Sequence, residues 1–304
     1  MNPPMDRDQL RISDLHAFYG ESHILHGVDL VVGRGELVTL LGRNGAGRTT
    51  TLRAIMNMVG RRTGSIVVNG NETIGMPAHQ IPRLGVGYCP EERGIFASLS
   101  VEENLLLPPT VRSGGMSLDE LYEMFPNLYE RRFSQGTRLS GGEQQMLAMA
   151  RILRTGANLL LLDEITEGLA PVIVQKLGEV LIKLKQRGLT IVLVEQNFRF
   201  AAPLADRHYV MEHGRIIEEG PVFDILSAPR HPATARFVAS IIEDVPSGDD
   251  LAAAQRGVGG AGGDAVGGDG GDGGDAVGGD QYAATGDQYG VAGNAQAQYG
   301  GDGG

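Results

Sequence analysis

An α/β fold with a mostly parallel sheet is what this sequence predicts, and three features predict it. Residues 37–41 (LVTLL), 159–162 (LLLL) and 190–194 (TIVLV) are short apolar runs without polar alternation. Such runs suit strands buried on both faces. Each run ends on a turn or an acid, at Gly42, Asp163 and Glu195. Helical patterns separate the runs, as in residues 172–185, and alternating strands and helices imply a parallel sheet.

The remaining elements follow from local signals. Residues 10–32 and 209–218, the latter turning at His213-Gly214, read as antiparallel strands. Ser100 with Glu103 and Ser117 with Glu120 each fit a capping box, in which a hydroxyl and a carboxylate satisfy the first N–H groups of a helix. They predict a helical insertion over roughly residues 99–154. Beyond residue 246 the chain turns to Gly, Asp, Ala and Gln, with GGDAVGGD occurring twice. That composition offers too little apolar surface to offset the entropy of ordering, so a disordered tail over 246–304 is expected after a domain over 1–245. The nonapeptide period of calcium-binding β-helix repeats is absent.

Charge and composition narrow the function. The net charge is −11, but residues 247–304 contain nine Asp and one Arg, which leaves −3 for the other 246 residues. The body shows no basic stripe, which argues against nucleic acid as a partner. The single cysteine, Cys89, precludes an internal disulfide and fits a reducing, cytosolic compartment. No apolar run approaches the roughly 20 residues that span a bilayer, and the polar first ten residues lack a signal-peptide core. Work at a membrane would therefore require a spanning partner.

Gly42-Arg43-Asn44-Gly45-Ala46-Gly47-Arg48-Thr49 follows the first apolar run and opens a helix. The glycines allow the tight turn that points N–H groups at phosphate oxygens, and the helix beginning near Arg48 adds the positive end of its dipole. Thr49 is placed to ligate Mg²⁺, and Thr50 follows on the same turn. The segment matches the phosphate-loop pattern and predicts a P-loop NTPase core, except that Arg48 stands where the pattern has Lys. Lys is a compact charge; Arg is longer, planar and forked. Nucleotide binding is expected to survive the change, while hydrolysis is the step placed in question.

Two later segments complete the chemistry. Asp163 and Glu164 end the leucine run, where Asp163 would hold Mg²⁺ and Glu164 would orient or deprotonate an attacking water. In Leu139-Ser140-Gly141-Gly142-Glu143-Gln144-Gln145, Ser140 caps a helix and Glu143 closes a capping box. Gly141 and Gly142 leave bare N–H groups that attract an anion.

LSGGEQQ, placed between the phosphate loop and the Asp-Glu strand, resembles the signature of the ATP-binding cassette family. The resemblance runs over about residues 10–219. It implies a head-to-tail dimer with Mg-ATP held between one subunit's phosphate loop and the other's signature. It further implies that Tyr19 stacks on adenine, and that Glu91 stands where a glutamine senses the γ-phosphate and the membrane partner. Gln196 takes the place of a histidine at the γ-phosphate, and residues 167–171 (EGLAP) form the loop that crosses the dimer. PEERGIF at 90–96, SVEENL at 100–105 and VEQN at 194–197 are similar to the subunits that power branched-chain amino acid import. Urea and amide importers use similar subunits. In that branch Ile165 replaces a usual Pro and frees the backbone that Pro would fix, and Thr166 replaces Ser. The implied function is an ATP-hydrolysing motor on the cytoplasmic face of the membrane. It would work with permease subunits, a second and different motor subunit, and indirectly a solute-binding protein. A degenerate cassette that binds ATP and hardly hydrolyses it is the alternative raised by Arg48. A soluble cassette acting in DNA repair or translation would carry two cassettes or a long coiled coil, and neither is present.

Overall fold

The computed structural model of the chain describes residues 8–242. The tail expected over 246–304 lies outside the described residues. In chain order the elements are β1 (Asp8–Tyr19), β2 (Ser22–Gly33), β3 (Leu37–Leu41), α1 (Arg48–Ile55), β4 (Arg61–Val68), β5 (Asn71–Glu72), β6 (Val86–Cys89), α2 (Val101–Leu106), α3 (Leu118–Met124) and α4 (Pro126–Glu130). Then come α5 (Gly141–Arg154), β7 (Leu159–Asp163), α6 (Pro171–Gln186), β8 (Thr190–Val194), α7 (Phe198–Ala201), β9 (Arg207–Glu212), β10 (Arg215–Gly220), α8 (Val222–Ser227) and α9 (Pro232–Ile242).

Two sheets form. One is antiparallel, in the order β2-β1-β4-β5. The other runs β10-β9-β3-β8-β7-β6, parallel throughout except for the β9–β10 hairpin. The three apolar runs are its central strands, and all of their residues are buried. Successive side chains of a strand point to opposite faces, so each run feeds two cores. Leu160 and Leu162 join Leu147, Leu177 and Leu181 on the helical side. Leu159 and Leu161 join Leu10, Ile12, Leu25 and Ile66 on the side of the antiparallel sheet. A run of four leucines is what a strand needs when neither face meets water.

The helices that the sequence predicted form where expected. Helix α6 buries Leu177, Val180, Leu181 and Leu184, the i, i+3, i+4, i+7 stripe of an amphipathic helix. Capping boxes open α2, α3 and α5, with Ser100, Ser117 and Ser140 each accepting from the backbone N–H three residues on. Strands β4, β5 and β6 were not anticipated. β4 lacks clean alternation because Gly64 lies close against the Asp14 backbone at a bulge in β1. β6 is four residues long and runs straight into the Pro90 turn.

Register decides where the site lies. Leu40 of β3 pairs with Val194 of β8, Asp163 of β7 pairs with the same Val194, and Cys89 of β6 pairs with Leu162. The carboxyl ends of four parallel strands are therefore level. The loops that leave them emerge side by side, the place where open α/β sheets bind ligands.

Candidate nucleotide site

The phosphate loop joins β3 to α1. Gly42 has φ 150° and Gly47 φ 107°, and a Cβ at either position would collide, at 2.4 Å from Met211 O and at 2.8 Å from Leu25 Cδ2. Only glycine fits both the space and the backbone. Arg43, Asn44 and Gly45 are exposed, while Ala46 is buried and its carbonyl accepts from Gly214 N–H at 2.9 Å. Among the described residues no side chain caps α1, and its first turn contains no acid. The N–H groups of Arg48, Thr49 and Thr50 thus face the loop at the positive end of the helix dipole, which is a ready site for an anion.

Thr49 Oγ1 donates to Asp163 Oδ1 at 3.0 Å, and the Tyr88 hydroxyl donates to Asp163 Oδ2 at 3.2 Å. Asp163 is fully buried; burial pushes its carboxyl above the usual range, and the Thr49 and Tyr88 bonds pull it back. A hydroxyl and a carboxylate in contact are the hard oxygen donors Mg²⁺ takes, so these residues fit the ion. Beside them, carboxylate oxygens of Glu91, Glu164 and Glu167 all lie within 4.8 Å of one another. Glu91 is exposed, yet its carboxyl is pushed upward, first by desolvation and then by Glu167 and Glu164.

Glu164 is held on both oxygens. Gln196 Nε2 donates to Oε2 at 2.7 Å, and Arg48 Nη2 donates to Oε1 at 3.0 Å. Its backbone is at φ 45°, a sparsely populated region for a non-glycine residue, of the kind that clusters at functional sites. Arg48 is the departure that the sequence flagged, and the structure shows its destination. The side chain is 4% exposed, and besides Glu164 it donates to Glu195 O at 3.0 Å and Asn44 Oδ1 at 3.3 Å. Burial lowers its pKa and the nearby Glu164 raises it. The fork grips the base of the site.

Two contributors escaped the sequence reading. Tyr88, whose hydroxyl reaches Asp163, lies just before the PEERGIF segment and was not singled out in the sequence. Glu195 is 2% exposed and accepts from Thr166 N–H at 3.0 Å and Thr166 Oγ1 at 2.8 Å, with burial pushing its carboxyl up to about 7. Those bonds pin the backbone after Ile165, itself fully buried, so the turn expected to be freed by the loss of Pro is fixed by side-chain bonds instead.

Tyr19 stands 38% exposed where β1 meets its turn, with its hydroxyl within hydrogen-bond reach of Arg53 on α1. Ser140, Gly141 and Gly142 belong to a different neighbourhood. Ser140 is exposed and Glu143 N–H donates to its hydroxyl at 3.3 Å. A Cβ on Gly142 would press on Ile173 of α6 at 3.0 Å, so this glycine also lets two helices approach.

These features match known proteins. The ABC transporter family pattern covers residues 25–167. The high-affinity branched-chain amino acid transport ATP-binding protein BraG of Pseudomonas aeruginosa is 40% identical over 224 residues, 73% of this chain and 96% of that protein. The lipopolysaccharide export system ATP-binding protein LptB of Escherichia coli K12 is 33% identical over 223 residues, 71% of this chain and 92% of that protein. A solved structure of an ATP-binding subunit of an ABC transporter superposes with TM-score 0.64 at 27% identity, over 77% of this chain and 99% of that one. The agreement runs along nearly the whole length of these relatives, and the chain belongs to the ABC transporter family as an ATP-binding cassette ATPase.

Proposed function

We propose that this protein is the ATP-hydrolysing motor of an importer for branched-chain amino acids or related small solutes. The observation that carries the ATPase part is the meeting of Thr49, Asp163, Glu164 and Gln196 at the level ends of β3, β7 and β8. The likeness to BraG supports the solute class, and the likeness to LptB names its competitor, an exporter motor.

Bound Mg-ATP supplies the phosphoryl group that water attacks. The residues of this chain bind and orient. The N–H groups of residues 45–50 and the α1 dipole receive the phosphates, Tyr19 receives adenine, and Thr49 and Asp163 would hold Mg²⁺. Glu164 takes the proton of the attacking water on a free lone pair of its carboxylate, and Gln196 keeps that carboxylate aimed. The helix start at Ser140, Gly141 and Gly142, with Ser140 exposed, closes the partner subunit's site, and residues 167–171 cross the interface. A motor with two such half-sites works as a dimer, and a second, different subunit is the favoured partner.

The permease is assigned to a groove of about 1100 Å³ whose walls include Met56, Met58, Pro82, Pro108, Val111 and Arg151. Pro90 and Glu92 also line it, on either side of Glu91. Because Glu91 shares a carboxylate cluster with Glu164, a helix seated in the groove would be felt at the γ-phosphate end of the site. No helix among the described residues is long and apolar enough to cross a membrane. The likeness to BraG supports docking on a permease at the cytoplasmic face. The test is uptake: vesicles holding the permease and both motor subunits, with the solute-binding protein outside, should accumulate labelled leucine only with ATP inside. ATP-driven transport of another solute class, and none of leucine, would overturn the solute reading and leave the motor reading intact.

One observation favours a second reading. Arg48 pairs with Glu164, and a cassette whose base stays in that pair would bind ATP and hydrolyse it slowly. A low ATPase rate with partners present, alongside ordinary nucleotide affinity, would select it.

A further inference from the structure

Away from the nucleotide site, the β1–β2 hairpin gathers three imidazoles. His16 and His26 are register partners across the two strands, and His23 lies opposite Phe18 nearer the turn. Leu15, Ala17 and Leu25 of the same strands are buried in the core. His23 is exposed, and His16 and His26 are half-buried. His16 Nδ1 is 3.0 Å from His23 Nε2. The His23 ring stacks on Phe18 at 4.2 Å and meets His26 at 4.0 Å between centroids.

The cluster is supported by its surroundings. Asp14 Oδ1 lies 3.2 Å from His16 Nε2. Asp14 reaches that position from a bulge in β1, at φ 47°, and its own N–H donates to Asp29 Oδ1 at 2.9 Å. Bulges re-aim side chains in this way. Gly27, at φ 80°, faces the pair; a Cβ there would sit 3.0 Å from Asp14 Oδ1 and 3.8 Å from His16 Nε2. Glycine keeps the space in which the carboxylate and the imidazole meet.

The chemistry follows from the donors. Asp14 accepts the Nε2–H of His16, which fixes the tautomer and leaves the Nδ1 lone pair facing His23. Two nitrogens bound to one tetrahedral zinc at 2.0–2.1 Å are about 3.3 Å apart, a few tenths more than the separation here. A carboxylate on the far nitrogen is the usual support for a metal-binding histidine. Imidazole suits zinc, copper and nickel and not magnesium. We propose that His16 and His23 form a surface site for a divalent transition-metal ion of the zinc or copper class, with Asp14 as the positioning carboxylate and His26 as the adjacent third imidazole.

A plain imidazole–imidazole hydrogen bond accounts for the 3.0 Å contact. It gives no reason for the bulged Asp14 or for the opening kept by Gly27. Arg215, and Arg61 stacked over Phe18 at 4.0 Å, oppose a further cation; Asp14 and Asp29 offset them. An ion here ties β1 to β2 next to the turn that presents Tyr19.

The test uses the full chain, stripped with chelator and titrated with Zn²⁺ and Cu²⁺. The parent should bind one ion more than the double variant His16→Gln/His23→Gln, with circular dichroism confirming that both are folded. The copper complex should show electron-spin couplings to imidazole nitrogens that the double variant lacks. Asp14→Asn tolerates the same backbone and should weaken binding by about 10- to 100-fold, the range for losing a supporting carboxylate. The acidic tail and the Glu91 cluster are common to all three proteins and cancel in the difference. Equal stoichiometry and affinity in parent and double variant, or copper bound by oxygen alone, overturns the site.

Discussion

Replacing Arg48 with Lys should raise the ATPase rate. In the structure Arg48 makes three hydrogen bonds at once, to Glu164, to Glu195 O and to Asn44, and Gln196 holds the other oxygen of Glu164. A carboxylate paired with a buried guanidinium is a weaker proton acceptor, so the pairing opposes the step Glu164 would perform. A hydrogen bond to a charged group is worth about 1.5–3 kcal/mol, and Arg48 is buried enough for that range to apply. Each 1.36 kcal/mol is tenfold in rate, so an Arg48 that stays on Glu164 slows hydrolysis by about 10- to 100-fold. Lys has one ammonium on a shorter stem and cannot span the same three acceptors. Arg48→Lys should therefore increase kcat by up to that factor, with little change in nucleotide affinity. Arg48→Ala removes the restraint and the cation together and should not show the gain. The assay is steady-state phosphate release with the permease and second motor subunit present, run beside Glu164→Gln. An unchanged rate in Arg48→Lys, together with a large loss in Glu164→Gln, would show that Arg48 leaves the base freely and serves as well as Lys; the restraint would then be wrong.

Three further outcomes are expected. Tyr19→Ala should weaken Mg-ATP binding by roughly 1–3 kcal/mol, the usual loss for one base-stacking aromatic, and equal affinities by calorimetry would remove Tyr19 from the site. Ser140→Arg should nearly abolish ATPase activity while this chain's own affinity for ATP, measured without a partner, stays the same; a matching loss of that affinity would mean that Ser140 acts within its own chain. Glu195 has a folded pKa of about 7 against an ordinary 4.5, so its protonated form favours the folded state and that contribution is lost as pH rises through 7. The shift corresponds to roughly 3 kcal/mol between pH 5 and pH 8. Glu195→Gln should flatten the fall in urea stability across that window, and parallel pH profiles for parent and variant would contradict the assignment.

What the sequence made legible was what depends on neighbours along the chain. The phosphate loop, the three capping boxes and the leucine run each state their geometry within a few residues, because glycine torsions, hydroxyl caps and two-sided burial act locally. Arg48 was legible as an anomaly and not as a contact. Its partner depends on Asp163 and Leu40 both lying beside Val194, a coincidence of register across strands more than a hundred residues apart in sequence. Gly142 shows the same limit. Its place in the motif suggested an open helix end for an anion, and the structure adds that Ile173 of α6 lies close enough to crowd any added Cβ, at 3.0 Å. One glycine thus answers to a ligand and to a helix contact, and only the second can be seen without a partner subunit. Glu195 is the hardest case. In sequence it is one acid after a strand, like Asp163. What separates them is which polar groups meet them in the interior: Asp163 meets the hydroxyls of Thr49 and Tyr88 beside the phosphate loop, and Glu195 meets the N–H and hydroxyl of Thr166. The first arrangement offers oxygen to a metal at the site. The second spends both carboxylate oxygens on the turn that carries Glu164, so the Glu195 side chain acts on the chemistry by holding that turn in place, while its carbonyl holds Arg48.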